Sequence, residues 1–149
     1  MVSASKSKVY FFFSNHSFTL KNRTPLKRFI EGIFKKEKRR LNQINYIFCS
    51  DYELLRLNKQ YLSHDFYTDI LTFNLSDNKT EIIADVYISI KRVKENARKE
   101  NNSFKSELRR VIFHGALHLC GYKDKTQKEV FRMRAKEDFY LSKFKVYFT

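Results

Sequence analysis

The chain has 149 residues, about the size of one domain, and 42% of them are hydrophobic, including 15 Phe and 9 Tyr. With only 3 Gly and 1 Pro, a disordered or loop-dominated chain is excluded, and we expect a single domain spanning residues 1–149. The formal net charge of +14 favours an anionic partner, most commonly nucleic acid, although a lysine-rich coding bias would give the same composition.

The two cysteines and the N-terminal segment indicate the cellular compartment in which the protein is expected. Cys49 and Cys120 form no CxxC pair, so a disulfide framework is not expected. The apolar run from Val9 to Phe13 is too short for a signal-peptide core, and no segment approaches the roughly 18 apolar residues of a membrane span. We therefore expect a soluble, cytoplasmic protein without a membrane partner.

The first half of the chain alternates strands and helices. The predicted elements are a strand at 8–14, a helix at 23–41, a strand at 44–50 and a helix at 50–62. In the first helix, Thr24 is the predicted N-cap and Pro25 the first helical residue. The second helix opens on a capping-box pair, Ser50 with Glu53.

The second half is predicted to contain two strands and then three helices. The strands lie at 68–75 and 81–90, and the turn-like "SDNKT" between them predicts an antiparallel pair. Helices follow at 91–100, from Ser103 to Cys120, and from the capping pair Thr126 and Glu129 to about Ser142. The last residues, 143–149, are interpreted as a short strand or a tail.

This order predicts an α+β fold of layered α/β type. Strands in the first half are separated by helices, so part of the sheet should be parallel. We expect a mixed sheet of about four or five strands packed with about five helices.

The segment "FHGALHLCGYKDK", residues 113–125, carries the strongest candidate site. His114 and His118 are one helical turn apart and can turn ring nitrogens toward one point. Gly121 can end the helix and turn the chain back, so that Asp124 brings a carboxylate oxygen to the same point. The pattern predicts a zinc site at the end of this helix, with His114, His118 and Asp124 as ligands.

Two observations limit this interpretation. An HxxxH pair also arises by chance, and the charges around Asp124 are equally typical of a solvated surface.

Cys120 lies roughly 200° around the helix from His118, so it is interpreted as a buried thiol. Gly115 occupies the position at which the HExxH peptidase motif has its glutamate base, which disfavours peptide hydrolysis.

Four segments resemble the YbeY family of bacterial ribosomal-RNA maturation factors. "HGALHLCGYKD" resembles the family signature HGxLHLxGYDH, and "LNKQYLSHDFYTDILTF" resembles LNxxYRxxDxPTDVLSF. "ADVYIS" and "MRAKE" resemble two further family segments, and Glu107 matches the glutamate that precedes the signature helix. The resemblance extends from about Leu57 to Glu137.

The resemblance implies a metal-dependent hydrolase, a single-strand-specific endoribonuclease. Its implied role is 3′-end maturation of small-subunit rRNA, ribosome biogenesis and ribosome quality control, with rRNA and the small subunit as partners. It also implies one zinc ion per chain, held by residues that include His114 and His118. The implied nucleophile is a metal-bound water, with Glu107 and His64 as supporting candidates. The general base, the cut site and the oligomeric state stay open.

Four positions depart from the family pattern. Asp124 stands where the family has its third histidine, and Lys123 where it has an aspartate. Leu62 replaces an arginine of the YRxxD segment, so a cation for the scissile phosphate is missing unless another base, such as His64, substitutes. Tyr67 replaces a proline. These departures affect the catalytic detail more than the fold or the metal.

Basic side chains near the site are predicted to hold the RNA backbone, although each could equally be solvated surface. The candidates are Lys91, Arg92, Lys94, Arg98, Lys99, Arg109 and Arg110. Two other functions remain open: a non-catalytic rRNA-binding assembly factor with a structural metal, and a metal-dependent hydrolase of another substrate.

Overall fold

The computed structural model describes residues 6–14, 18–64 and 67–148, the last three by their backbone alone. Within these residues the elements follow the predicted order, strand-helix-strand-helix-strand-strand-helix-helix-helix. They are β1 (Val9–Phe13), α1 (Arg23–Lys36), β2 (Arg40–Cys49), α2 (Asp51–Leu62), β3 (Ile70–Asn74), β4 (Glu81–Ser89), α3 (Ile90–Lys99), α4 (Phe104–Leu119) and α5 (Gln127–Phe148).

The described strands form one mixed sheet of four strands in the order β1-β2-β4-β3. The β1–β2 and β2–β4 pairs are parallel, and β3 pairs antiparallel with β4. The predicted α+β class, the partly parallel sheet and the antiparallel pair are therefore confirmed. Central strands β2 and β4 carry the apolar core residues, since Ile44, Tyr46, Val86 and Ile88 are fully buried.

Helix α4 packs directly on this sheet. A Cβ on Gly115 would lie 2.9 Å from Ile70 Cδ1 and 3.1 Å from Val86 Cγ1, so the helix can approach the strands only because this residue has no side chain. The Tyr46 hydroxyl donates to the Ile112 carbonyl at 3.1 Å and fixes the helix against β2. The helix that carries both histidines is thus held rigidly.

Three predicted helix starts are confirmed by their caps. The Ser50 hydroxyl accepts from the Glu53 N–H, and Ser103 accepts from the Ser106 N–H. At the start of α5, the Thr126 hydroxyl accepts from the Glu129 N–H at 3.1 Å, and the Glu129 carboxylate accepts from the Thr126 N–H at 2.9 Å. This reciprocal arrangement is the capping box that the sequence predicted.

Three predicted boundaries are wrong. Helix α1 ends at Lys36 and not at residue 41, because residues 40–43 already belong to β2. Asn22 is the N-cap of helix α1, because its carbonyl accepts the first helical hydrogen bond, from the Leu26 N–H at 3.1 Å. Thr24 therefore lies inside the first turn, and Pro25 is not the first helical residue.

Residues 143–148 extend α5 as a helix and form neither a strand nor a tail. The apolar face of α5 continues from Tyr140 to Phe144, both buried, which explains the extension. Thr149 lies outside the described residues.

Both cysteines are buried and free, as expected for Cys120. In the part of the chain that the structure describes, every helix is too short or too polar to cross a bilayer.

Candidate metal centre

The site is built where α4 ends. The rings of His114 and His118 lie one turn apart, with their centroids separated by 4.5 Å. Beyond them the N–H of Gly121 donates to the His118 carbonyl, and the N–H of Tyr122 donates to the Leu117 carbonyl, each at 3.0 Å. This pair of bonds is the Schellman motif, and its glycine adopts a φ of 105°. The chain therefore turns back over the end of the helix.

The turn brings Asp124 to both histidines. Its Oδ2 lies 3.3 Å from His114 Nε2 and 3.1 Å from His118 Nε2. Two ligands of a tetrahedral zinc, each about 2.0–2.1 Å from the ion, are about 3.3 Å apart. Because the donor atoms of all three residues lie within 4.8 Å of one another, this group could hold a metal ion.

Each histidine has its second ring nitrogen occupied, which leaves Nε2 for the metal. His114 Nδ1 donates to Glu137 Oε2 at 2.6 Å, and His118 Nδ1 donates to the Tyr122 carbonyl at 2.9 Å. Partners of this kind fix the tautomer and orientation of metal-binding imidazoles. The donor set thus fits a divalent cation by chemistry as well as by distance.

Glu137 of α5 is itself held in place. Arg110 donates to Glu137 Oε1 at 2.9 Å and to Asp138 at 2.6 Å. Burial disfavours protonation of His114, but the hydrogen bond and the charge of Glu137 outweigh it, so the pKa of His114 is raised. The "MRAKE" match included Glu137 but gave it no role, because its contact with His114 joins two helices across 23 residues.

A cleft of about 390 Å³ opens beside His114, between α3, α4 and α5. Its polar walls include Asp69, Asn96 and Glu107, and its apolar wall includes Val111 and Met133. Burial raises the pKa of both the Asp69 and the Glu107 carboxyls. Glu107 was named from the sequence, whereas Asp69 and Asn96 were missed, since only the fold brings them to α4.

The predicted RNA-binding residues occupy different environments. Lys91, Lys94, Arg98 and Lys99 are exposed on α3. Arg92 is paired with Asp51 at 2.6 Å and with Glu95 at 2.9 Å, so its charge is already matched.

The two candidate arginines of α4 point to different sides. Arg110 lines the cleft but is engaged by Glu137 and Asp138. Arg109 does not lie beside the histidines, because its guanidinium packs over the Phe144 ring in a separate groove. The RNA contacts of all these residues stay predictions.

The positions that depart from the family pattern lie mostly at the surface. Leu62 and Tyr67 are 42% and 53% exposed, and Tyr67 has the Arg92 guanidinium over its ring. His64 is exposed just beyond α2 and is not among the residues that line the cleft. Asp65 and Phe66, which belong to the same matched segment, lie outside the described residues.

Comparison with known proteins identifies the family. The family model described as Endoribonuclease YbeY matches residues 13–145. A protein named Endoribonuclease YbeY from Cytophaga hutchinsonii is 49% identical over 90% of this chain and 94% of its own length. Another of that name, from Christiangramia forsetii, is 42% identical over 91% of this chain and 94% of its own.

A solved structure agrees with this assignment. The solution structure of a protein from Thermotoga maritima is 34% identical and aligns with a TM-score of 0.60, covering 91% of this chain and 88% of that one. The match of the family model and the identity to these relatives show that the chain belongs to the YbeY endoribonuclease family.

Proposed function

We propose that this protein is a metal-dependent endoribonuclease that cuts single-stranded RNA in the 3′-end maturation of small-subunit rRNA. The family assignment supports the nuclease activity and its role in rRNA processing. The observation that carries the metal dependence is the convergence of His114, His118 and Asp124 beside a cleft that His114 and Asp124 line. The small ribosomal subunit is the proposed partner and the cytoplasm the proposed location.

We propose zinc as the ion, with His114, His118 and Asp124 as its ligands. Two imidazoles and one carboxylate are a common set for catalytic zinc, which keeps a further position open. When bound, such an ion activates water and neutralises charge at a phosphate oxygen.

The side chains around the ligands have separate tasks. Glu137 and the Tyr122 carbonyl orient the two imidazoles through their Nδ1 protons. Arg110 holds Glu137, and the exposed lysines of α3 attract the RNA backbone. Peptide hydrolysis of the HExxH type is disfavoured for a structural reason: Gly115 faces β3 and β4, so a glutamate there could not reach the metal without displacing the helix.

The proposal is tested on purified protein with defined zinc content. We expect it to cut a single-stranded RNA, to leave the matched duplex intact, and to lose activity with a chelator. The control is the His114→Ala, His118→Ala double variant, purified identically, because trace contaminating nucleases also cut RNA. Equal cleavage by the double variant would contradict the proposal, as would full zinc in that variant by elemental analysis.

The alternative is a non-catalytic assembly factor with a structural metal. The observation that favours it is Leu62, which leaves the YRxxD segment without its arginine. In the same experiment this alternative predicts zinc-dependent RNA binding without cleavage.

A further inference from the structure

The cleft beside His114 has a charge opposite to that of the whole chain. The protein carries a net charge of +14. Yet the carboxyl groups of Asp69, Glu100, Glu107, Asp124 and Glu137 line the cleft with only two arginines. Beyond the metal ligands, the carboxyl groups of Asp69, Glu100 and Glu107 would repel a phosphate, so this part of the cleft suits a group rich in hydrogen-bond donors or a cation.

One of these carboxylates, that of Glu107, has an oxygen without a hydrogen-bond partner. Glu107 is only 6% exposed, and its Oε2 is buried without a hydrogen-bond partner. Leaving a buried carboxylate oxygen unpaired costs free energy, so such an atom in a cleft wall marks a place that a donor can fill. Glu107 lies on α4, seven residues before His114, which places its Cα about 10 Å along the helix axis from that of His114.

A second metal ion does not suit this lining. Among the described residues, only His114, His118 and Asp124 bring three such donor atoms within 4.8 Å of one another. No three carboxylates of the described cleft residues come as close together, and Asp69 already accepts from the Asn96 amide at 3.2 Å. A molecule larger than a single ion therefore suits this lining better.

A flat heterocycle meets these demands. Val111 and Met133, both buried, supply apolar walls between the polar groups, and the cleft is large enough for one base. Single-stranded RNA is recognised through bases that leave the stack and present their hydrogen-bonding edges. The phosphates would stay outside, near the exposed lysines of α3.

We propose that this cleft is a nucleobase subsite that selects guanine next to the scissile phosphate, with Glu107 accepting from the guanine edge. This inference rests on the proposed nuclease function. Guanine carries two adjacent donors, N1–H and the 2-amino group, which match the two oxygens of one carboxylate. Adenine, cytosine and uracil each place an acceptor beside their donor, and that acceptor would face a carboxylate oxygen. The guanidinium of Arg134, which also lines the cleft, can donate to guanine O6.

The test measures binding apart from cleavage. Labelled oligouridine hexamers with one central guanosine, inosine or adenosine are bound to the protein in chelator, and fluorescence anisotropy gives the affinities. We expect guanosine to bind roughly tenfold more tightly than inosine, which lacks the 2-amino donor to a charged acceptor. Zinc-loaded protein should then cut the guanosine RNA at one preferred position.

Two variants with the same change of charge separate the residues. Glu107→Gln should lose the preference for guanosine and gain one for adenosine, because an amide pairs with the adenine edge. Asp77→Asn, in the exposed turn between β3 and β4 and outside the cleft lining, should keep the guanosine preference. A far-ultraviolet spectrum and a melting curve verify that both variants fold.

The outcomes are distinct. If the wild type cuts single strands but binds the three hexamers equally, the subsite is wrong and the nuclease function stands. If Glu107→Gln keeps the guanosine preference, Glu107 does not recognise the guanine base and the proposal fails. If the wild type neither binds nor cuts any single strand, the proposed function fails and the subsite fails with it.

Discussion

At position 124 the chain has a carboxylate in the candidate metal centre where the family pattern has an imidazole. The replacement is geometrically sound, because Asp124 Oδ2 lies within 3.3 Å of both histidine Nε2 atoms. The exchange adds a negative charge, which should make water at the metal less acidic than a ligand set of neutral imidazoles would.

Replacing Asp124 tests its role as a ligand. We expect Asp124→Ala to weaken zinc affinity by about 100-fold or more, since loss of a mere orienting partner already costs about 10–100-fold. Asp124→His should retain zinc, because the same turn presents its imidazole. Chelator competition gives the dissociation constants, with the exposed neighbour Lys123→Ala as control. Unchanged affinity in Asp124→Ala would remove this residue from the ligand set.

Sequence reasoning reached the three converging residues because they lie within eleven consecutive positions, where helical spacing and a glycine stop define the geometry. It could not assign a role to Glu137 or find Asp69. Glu137 reaches His114 from another helix, and Asp69 reaches the cleft from the segment before β3. Such contacts depend on how elements pack, which no local pattern encodes.

The unpaired Glu107 should also lower the stability of the fold. Burial raises its pKa above the usual 4.5 in the folded state, so the unfolded chain gives up this proton at lower pH. Stability is therefore lost as pH rises through the interval between these values. We expect Glu107→Gln to stabilise the protein by about 1 kcal/mol at pH 7 and by much less at pH 4. Denaturant melts at both pH values measure this, and a destabilised variant at pH 7 would contradict it.

At the scale of elements, the end of α4 decides whether the ligands meet. Besides the Schellman bonds, the Tyr122 hydroxyl donates to the Glu37 carboxylate at 2.7 Å, and Lys136 donates to the same group at 3.2 Å. Tyr140 donates to it as well. The turn that carries Asp124 is therefore tied to the end of α1 and to α5.

Two glycine substitutions probe this turn. Gly121→Ala places a side chain at a φ of 105° with its Cβ 3.0 Å from Arg39 Nη2, so we expect a loss of about 1–3 kcal/mol and weaker zinc binding. Gly32→Ala, in the exposed interior of α1 with nothing within 4 Å, should stabilise by about 0.5–1 kcal/mol. Thermal melts and zinc titrations distinguish the pair. Equal effects would mean that the turn is not strained by a side chain.

The boundaries of the helices show where local sequence patterns no longer predict the structure. The caps at Ser50, Ser103 and Thr126 were predictable because a side chain closes each helix start. The N-cap of helix α1 is Asn22, but its side chain makes no capping hydrogen bond. The local sequence pattern therefore does not mark the start of this helix. The end of α5 depends on burial of Phe144 against other elements, which the pattern of residues 143–149 alone does not reveal.

At the scale of the whole molecule, the positive charge is distributed unevenly around the site. The cleft is acidic, while the exposed part of α3 carries basic residues. If Asn96 of α3 marks the direction of the cleft, Lys99 lies about 60° from it around the helix and Lys91 about 140°. One RNA strand that enters the cleft would pass Lys99 and not Lys91.

This geometry predicts that Lys99 contributes more to RNA binding than Lys91, although both are exposed lysines of the same helix. Each phosphate contact contributes about 0.7 to the salt dependence of single-strand binding through counterion release. We therefore expect Lys99→Ala to reduce the slope of log affinity against log salt by about 0.7, and Lys91→Ala to leave it nearly unchanged. Both variants lose one exposed positive charge from the same helix, so net charge is matched. Titrations of single-stranded RNA at several salt concentrations, in chelator, provide the slopes. Equal reductions would mean that the charge acts as a diffuse field, and a reversed order would place the RNA on the other face of α3.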